Sequence, residues 1–176
     1  MVDVLERRPA LAGRRFANDA VTLAPATPRA RLSLRGDAEA ASETLGHQLP
    51  REPNRSSRNG ERTALWLGPD EWLVIDAEAE VPDVPHGEGF SATDVSHRNV
   101  GLEVCGAGAR NTLAAGCPRD LSLEAFPVNA CARTVLGKAE VVIHRTGDNA
   151  FHVECWRSFA PYVWAFLEDA AQDAVL

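Results

Sequence analysis

Apolar residues along this chain fall mostly into short runs that alternate with polar ones, the period of two that marks β-strands. A few stretches repeat every three to four residues, as helices do. VTLA (residues 21–24) and RLSLR (31–35) read as short strands around turns at Pro25 and Pro28. DAEAASETLG (37–46) reads as a helix, with Asp37 as its N-cap and Gly46 as its C-terminal stop. HQLPREPNRSSRNGE (47–61) holds a single leucine and reads as an exposed loop. AEAEVPDVPHGEG (77–89), acidic and rich in Pro and Gly, reads as a connector. The first 20 residues read as a polar, loosely held arm.

Between loop and connector lies LWLGPDEWLVID (65–76), the most distinctive stretch of the chain. RTALWL and EWLVI are built from strand formers, and Gly68-Pro69-Asp70-Glu71 between them suits a tight turn, since Pro presets the second position and Asp tolerates the third. The pattern predicts a β-hairpin. Its strands are apolar on both faces: Leu65 and Leu67 point one way and Trp66 the other. A strand with one face in water would alternate with polar residues, so this hairpin requires cover on both sides.

The second half reads more plainly. FSATDVS and VGLEVC are strands, and GAGARNTLAAG (106–116) is a short helix. CARTVLG, KAEVVIHR and AFHVECW are three further strands, the last two joined by a turn at residues 146–149. Ala139, Val141 and Ile143 share one face of their strand; Phe151, Val153 and Cys155 share one of theirs. The final helix opens with Ser158 as N-cap and places Phe159, Tyr162, Val163, Phe166, Leu167 and Ala170 on one stripe.

The halves echo each other. LSLRG ending at Gly36 matches LEVCG ending at Gly106, and ETLGHQLP matches NTLAAGCP through Thr44/Thr112, Leu45/Leu113 and Pro50/Pro118. RTALWL matches RTVLGK, and DEWLVI falls on DNAFHVEC. The offset stays near 70 residues (106 − 36 = 70; 118 − 50 = 68; 133 − 62 = 71). Shared order at near-constant offset marks an internal repeat. The fold class is α+β: a single domain over 21–176 made of two similar halves, about 21–80 and 90–176. Each half is a strand–helix–antiparallel-hairpin subdomain.

Composition narrows function. With 18 Lys and Arg against 25 Asp and Glu, the net charge of −7 disfavours nucleic acid and anionic membranes, both of which need a positive surface. No apolar run approaches the roughly 20 residues of a membrane helix. The N-terminus lacks the layout of a secretory signal, so the cytoplasm is the expected location. Cys105, Cys117, Cys131 and Cys155 form no C-x-x-C pair and read as free, at least partly buried thiols.

Three stretches taken together, LWLGPDEWLVI, ATDVSHRNVGLEVCGAGARNTLAAGCPRDLS and CARTVLGKAEVVIHRTGDNAFHVECWRSFAPYVWAFLEDAA, resemble the gamma subunit of bacterial heterotetrameric sarcosine oxidase over about residues 21–173. The wider relatives are the folate-binding domains of glycine-cleavage aminomethyltransferase, whose duplicated α+β unit fits the repeat. The resemblance implies an accessory role in a flavin-dependent complex. That complex demethylates sarcosine oxidatively to glycine, with hydrogen peroxide and formaldehyde or methylenetetrahydrofolate as products. It implies alpha, beta and delta partner subunits that hold flavin, NAD, folate and zinc, with no cofactor or metal in this chain. The alternative is a stand-alone folate-binding or aminomethyl-transfer protein.

Candidate chemistry is sparse. The resemblance aligns Asp120 in GCPRDLS with the position of the transferases' catalytic aspartate; the plainer reading is a carboxylate capping a turn before Leu121. Asp94, Ser96 and His97 supply the residue types of a hydrolase triad, but triad members converge from separate loops, and no G-x-S-x-G elbow is present. Arg51, Arg55 and Arg58 are candidates for gripping a phosphate, against the plainer reading of a solvated loop. His86 with Asp83 and Glu88 is a weak metal candidate. Gly106-Ala-Gly108 lacks the third glycine of a dinucleotide fingerprint. Trp66 and Trp72, large aromatics on a hairpin needing cover, are the expected anchors of a partner interface.

Overall fold

The alternating runs pair into two antiparallel sheets. The computed structural model describes residues 9–76, 78 and 83–174, so the first eight residues of the expected arm and most of 77–82 in the expected connector lie outside the described residues. In chain order the first elements are β1 (Phe16–Ala17), β2 (Thr22–Pro25), β3 (Arg31–Gly36), α1 (Ala38–Leu45), β4 (Ser56–Asn59), β5 (Arg62–Gly68) and β6 (Glu71–Ile75). Then follow β7 (Phe90–Asp94), β8 (Asn99–Cys105), α2 (Ala109–Ala114), β9 (Cys131–Leu136), β10 (Ala139–Gly147), β11 (Ala150–Trp156) and α3 (Ala160–Asp173). One sheet runs β4-β5-β6-β3-β7 and the other β9-β10-β11-β8-β2-β1.

Read from β4 and from β9, the two orders coincide through five strands. The fifth strand of each sheet is exchanged. β2 precedes β3 in the chain but pairs with β8, while β7 precedes β8 but pairs with β3. The glycines that open the repeat explain how. Gly36 ends β3 and Gly106 directly follows β8, at φ 119 and 117, conformations that favour glycine. A Cβ on Gly36 would strike the carbonyl oxygen of Gly89 just before β7; on Gly106 it would strike that of Ala20 just before β2. Each glycine therefore admits the incoming exchanged strand at close range.

The faces sort into four layers. Helices α2 and α3 cover the six-stranded sheet with a core that includes Leu113, Val141, Ile143, Phe151, Val153 and Trp164. Helix α1 covers the five-stranded sheet over Leu32, Leu34, Ala64, Trp72 and Val74. The inner faces meet through Leu65, Leu73, Ile75, Val95, Cys131 and Val142. The hairpin β5–β6, which pairs Trp66 with Trp72, is thus covered on one face by α1 and on the other by the opposite sheet. Asp37 caps α1 as expected, accepting from the backbone N–H groups of Glu39 and Ala40, and Gly46 ends it in the left-handed conformation.

Four sequence expectations need correction. Part of the loop over 47–61 is strand: SSRN forms β4, an edge strand whose polar side chains gave no apolar signal. The described part of the expected arm is packed, with Leu11 buried against the six-stranded sheet's core and Phe16 on β1. The final helix begins at Ala160 with Phe159 as its cap residue and no side-chain cap, and Pro161 occupies its first turn. Its buried stripe is Ala160, Val163, Trp164, Leu167 and Ala171, so Phe159 and Tyr162 face outward. The match of RTALWL to RTVLGK also fails in space: β5 lies one strand in from the edge, where its counterpart is β10, whereas β9 is an edge strand like β4.

Candidate functional site

Between the sheets the apolar contact gives way at one end to charge. Glu103 on β8, His152 on β11 and His144 on β10 are cross-strand neighbours in one row, with Cys131 on β9 completing it. Alternation aims this row, and Glu154 two residues along β11, at the five-stranded sheet rather than at the helices. Arg31, the first residue of β3, reaches across. Its Nε and Nη2 donate to the two carboxylate oxygens of Glu154 at 2.7 and 2.9 Å, and its Nη1 donates to the carbonyl of Arg29 at 2.7 Å. Both partners are almost wholly shielded from water, with side chains 4% and 1% exposed. A buried pair of this kind costs several kcal/mol of desolvation per ion, which the bidentate geometry and the further hydrogen bonds to both partners offset.

His152 joins the cluster through both ring nitrogens, Nδ1 to Glu103 and Nε2 to Glu154, each at 2.7 Å. Burial works against its charge, but the two carboxylates more than reverse that and raise its pKa to about 9. Burial alone would push the Glu154 carboxyl up; the bond and charge of His152, with Arg31, hold it below the usual range. The cluster thus sets Arg31 and His152 against the carboxylates of Glu154 and Glu103. Gly101 on β8 makes room for it, since a Cβ there would press on the His152 ring and the Arg31 guanidinium. His144 is the opposite case. Burial and the neighbouring His152 charge lower its pKa to about 4, and it shares a 3.0 Å hydrogen bond with Ser56 on β4. A cavity of about 180 Å³ adjoins the cluster, lined by Arg58, Ser56, Glu103, His144, Thr146 and His152 among others. At the other end of the interface Glu71 on β6 binds Arg133 on β9 through both oxygens and also pairs with Arg35 at 2.9 Å.

These residues escaped the sequence reading, and the candidates it named lie elsewhere. Asp120 is exposed, and its carboxylate accepts from the backbone N–H of Ser122 at 2.8 Å, a bond that lowers its pKa. Asp94 ends β7, and its Oδ1 accepts from both the backbone N–H and the hydroxyl of Ser96, at 2.8 and 2.5 Å. The Ser96 oxygen in turn accepts from the backbone N–H of Arg31 at 2.8 Å, so this hydroxyl ties the end of β7 to β3. Its proton is held by Asp94 and not by His97, which sits on the exposed side of the following turn. Arg51, Arg55 and Arg58 do not converge; each pairs with its own carboxylate, Glu39, Glu52 and Glu61. His86 is exposed, and no group of three or more His, Cys, Asp or Glu is placed to hold a metal among the described residues. The four cysteines are free; Cys117, Cys131 and Cys155 are buried, and burial pushes the thiols of Cys131 and Cys155 up to about 12. Trp72 is 1% exposed and its indole N–H donates to the Pro50 carbonyl at 2.8 Å, while Trp66 is half-buried against the same core. Trp72 therefore serves the packing of the hairpin beneath α1 and offers no surface to another chain.

Among the described residues no helix is long and apolar enough to cross a membrane. The fold and sequence have clear relatives. The family described as "SoxG: Sarcosine oxidase, gamma subunit family" matches residues 35–173. Sarcosine oxidase subunit gamma of Corynebacterium sp. (strain P-1) is 33% identical over 144 residues, 78% of this chain and 71% of that protein. Its namesake from Arthrobacter sp. is 36% identical over 120 residues, 65% of this chain and 59% of that one. Among solved structures, a chain of the heterotetrameric sarcosine oxidase from Corynebacterium sp. U-96 matches with a TM-score of 0.85 and 26% identity, covering 98% of this chain and 97% of that one. Aminomethyltransferase T of the glycine cleavage system from Bartonella henselae shares the fold, at a TM-score of 0.63 and 18% identity over 84% of this chain and 45% of that one. The chain belongs to the sarcosine oxidase gamma subunit family.

Proposed function

We propose that this chain is a structural subunit of a heterotetrameric, flavin-dependent sarcosine oxidase and carries none of its chemistry. That enzyme demethylates sarcosine oxidatively to glycine, and the one-carbon unit leaves as formaldehyde or as methylenetetrahydrofolate while hydrogen peroxide forms. The alpha, beta and delta subunits hold the flavins, NAD, folate and zinc, and the assembly works in the cytoplasm. The observation that carries this reading is the likeness to the Corynebacterium heterotetrameric enzyme along nearly the whole of both chains. The internal chemistry supports it. His152, with its pKa raised, and Glu154, with its pKa lowered, spend their hydrogen bonds on each other and on Arg31 and Glu103, which leaves no poised acid or base there. Asp120 commits its carboxylate to a local turn through the Ser122 N–H, as a capping residue does.

The test compares the chain alone with the co-purified complex. The isolated chain is expected to be colourless and to produce no peroxide from sarcosine, while the complex is coloured and active. Sarcosine oxidation by the isolated chain would overturn the proposal.

A further inference from the structure

The six-stranded sheet extends beyond the cover that the five-stranded sheet gives it. Glu154, Val142 and Arg133 face that cover and are buried or ion-paired. Two residues further along the same face come Trp156, Glu140 and Val135, in a row where Trp156 pairs with Asn99 and Glu140 with Val135. This row is bare: Trp156 is 42% and Val135 43% exposed. Round the end of the sheet the aromatic surface continues. The Phe159 ring lies 6.2 Å from Trp156, and Tyr162 sits against the β9–β10 turn, its hydroxyl accepting from the backbone N–H of Lys138 at 3.0 Å. Among the described residues, four of the five exposed large hydrophobics, Val135, Trp156, Phe159 and Tyr162, fall on this row or round this end of the sheet. The tip of the β5–β6 hairpin borders it, since Leu67 and Glu71 line one groove with Trp156, Arg98 and Glu140.

We propose that this strip, centred on Trp156 and Phe159, is the surface through which the chain docks onto a different, acidic-rimmed subunit of the oxidase; the proposal rests on the reading of the chain as a subunit. Charge selects the occupant. Arg98, whose guanidinium lies 5.1 Å over the Trp156 ring, and Lys138, whose backbone N–H donates to the Tyr162 hydroxyl, are the cations beside the strip, with Glu140 as the opposing acid and Arg133 neutralised by Glu71. This is a basic rim on a chain of net charge −7. A second copy of this chain, joined through a two-fold axis, would set that rim against itself, so self-association here is disfavoured. A partner that lays apolar side chains on Trp156 and Phe159 and carboxylates beside Arg98 meets both demands. Trp and Arg at the centre and edge of a patch are the residue types that dominate binding energy at stable interfaces.

The test co-expresses tagged chain with the other oxidase subunits and measures, by mass, how much of each is recovered. Trp156→Glu and Arg98→Glu are compared with Leu123→Glu, which alters the exposed hydrophobic residue outside the strip, and folding of each variant is checked by circular dichroism. The proposal expects Trp156→Glu to reduce recovered complex about thirtyfold, the scale of an aromatic anchor, with Arg98→Glu weaker at low salt and Leu123→Glu unchanged. If wild type recovers the subunits and folded Trp156→Glu recovers them equally, the docking surface is wrong while the subunit reading stands. If wild type recovers none, the subunit reading itself fails. If the chain alone dimerises and Trp156→Glu makes it monomeric, the strip is a self-interface and the proposal is overturned.

Discussion

Gly36 and Gly106 hold the same backbone conformation, φ 119 and 117, at the same strand-to-helix junction of the two sheets. Each has its N–H bonded to a hairpin turn of its own sheet, Gly36 to the Asp70 carbonyl at 3.0 Å and Gly106 to that of Asn149 at 2.9 Å. Gly36→Ala and Gly106→Ala should each cost on the order of 3 kcal/mol, because an L side chain is strained at this φ and its Cβ strikes a backbone carbonyl. Gly13→Ala is the control: its φ is 74 but its surroundings are open, so only the conformational cost of about 1 kcal/mol applies. Urea denaturation of the three variants measures the difference.

The duplication was legible because it rests on such glycines and on hydrophobic spacing. The exchange of β2 and β7 was not, since an apolar run shows that a strand has a buried face but not which sheet covers it. The charged cluster was hidden for a related reason. In AFHVECW the residues Phe151, Val153 and Cys155 announce one buried face, and His152 and Glu154 between them read like the solvent side of an ordinary strand. Their burial depends on Arg31, 123 residues away from Glu154 in the chain. The helix stripe was misplaced by one turn-face because Trp164 and two alanines, Ala160 and Ala171, carry the contact that Phe159 and Tyr162 were expected to make.

Stability should depend on pH through the two histidines, in opposite directions. His152 has its folded pKa raised from 6.5 to about 9, so the stabilisation it gives is complete below pH 6.5 and is lost as pH rises from there to about 9. His144 has its folded pKa lowered from 6.5 to about 4, so stability falls as pH drops from 6.5 towards 4. Thermal unfolding followed across this range should show greatest stability near pH 6.5. The alkaline decline should flatten in His152→Gln, and an unchanged alkaline slope would mean that His152 is not charged in the fold.

Trp72→Ala should destabilise the chain by about 3–5 kcal/mol, since it empties a buried site and orphans the Pro50 carbonyl. Trp66→Ala, at a half-buried position, should cost less than half as much. Loss of assembly in Trp72→Ala should track loss of folding by circular dichroism. A folded Trp72→Ala that no longer assembles would return this residue to a direct role at the interface.

Asp120→Asn should leave sarcosine turnover of the assembled complex within about twofold of wild type, and the purified chain should give no heat on titration with tetrahydrofolate. The carboxylate is exposed and bonded to its own turn through Ser122. A hundredfold loss of turnover in an intact complex, on the scale of a removed acid–base group, would make Asp120 catalytic. Folate binding by the isolated chain would favour the folate-binding alternative.

The subunit reading is tested most directly by native mass measurement of the enzyme assembled by co-expression of all its subunits. The account predicts a single complex in which this chain is present in equal number with each larger subunit, and in which the larger subunits fail to assemble stably when it is left out. A complex that forms and turns over sarcosine fully without it, while this chain remains a free monomer, would contradict the account.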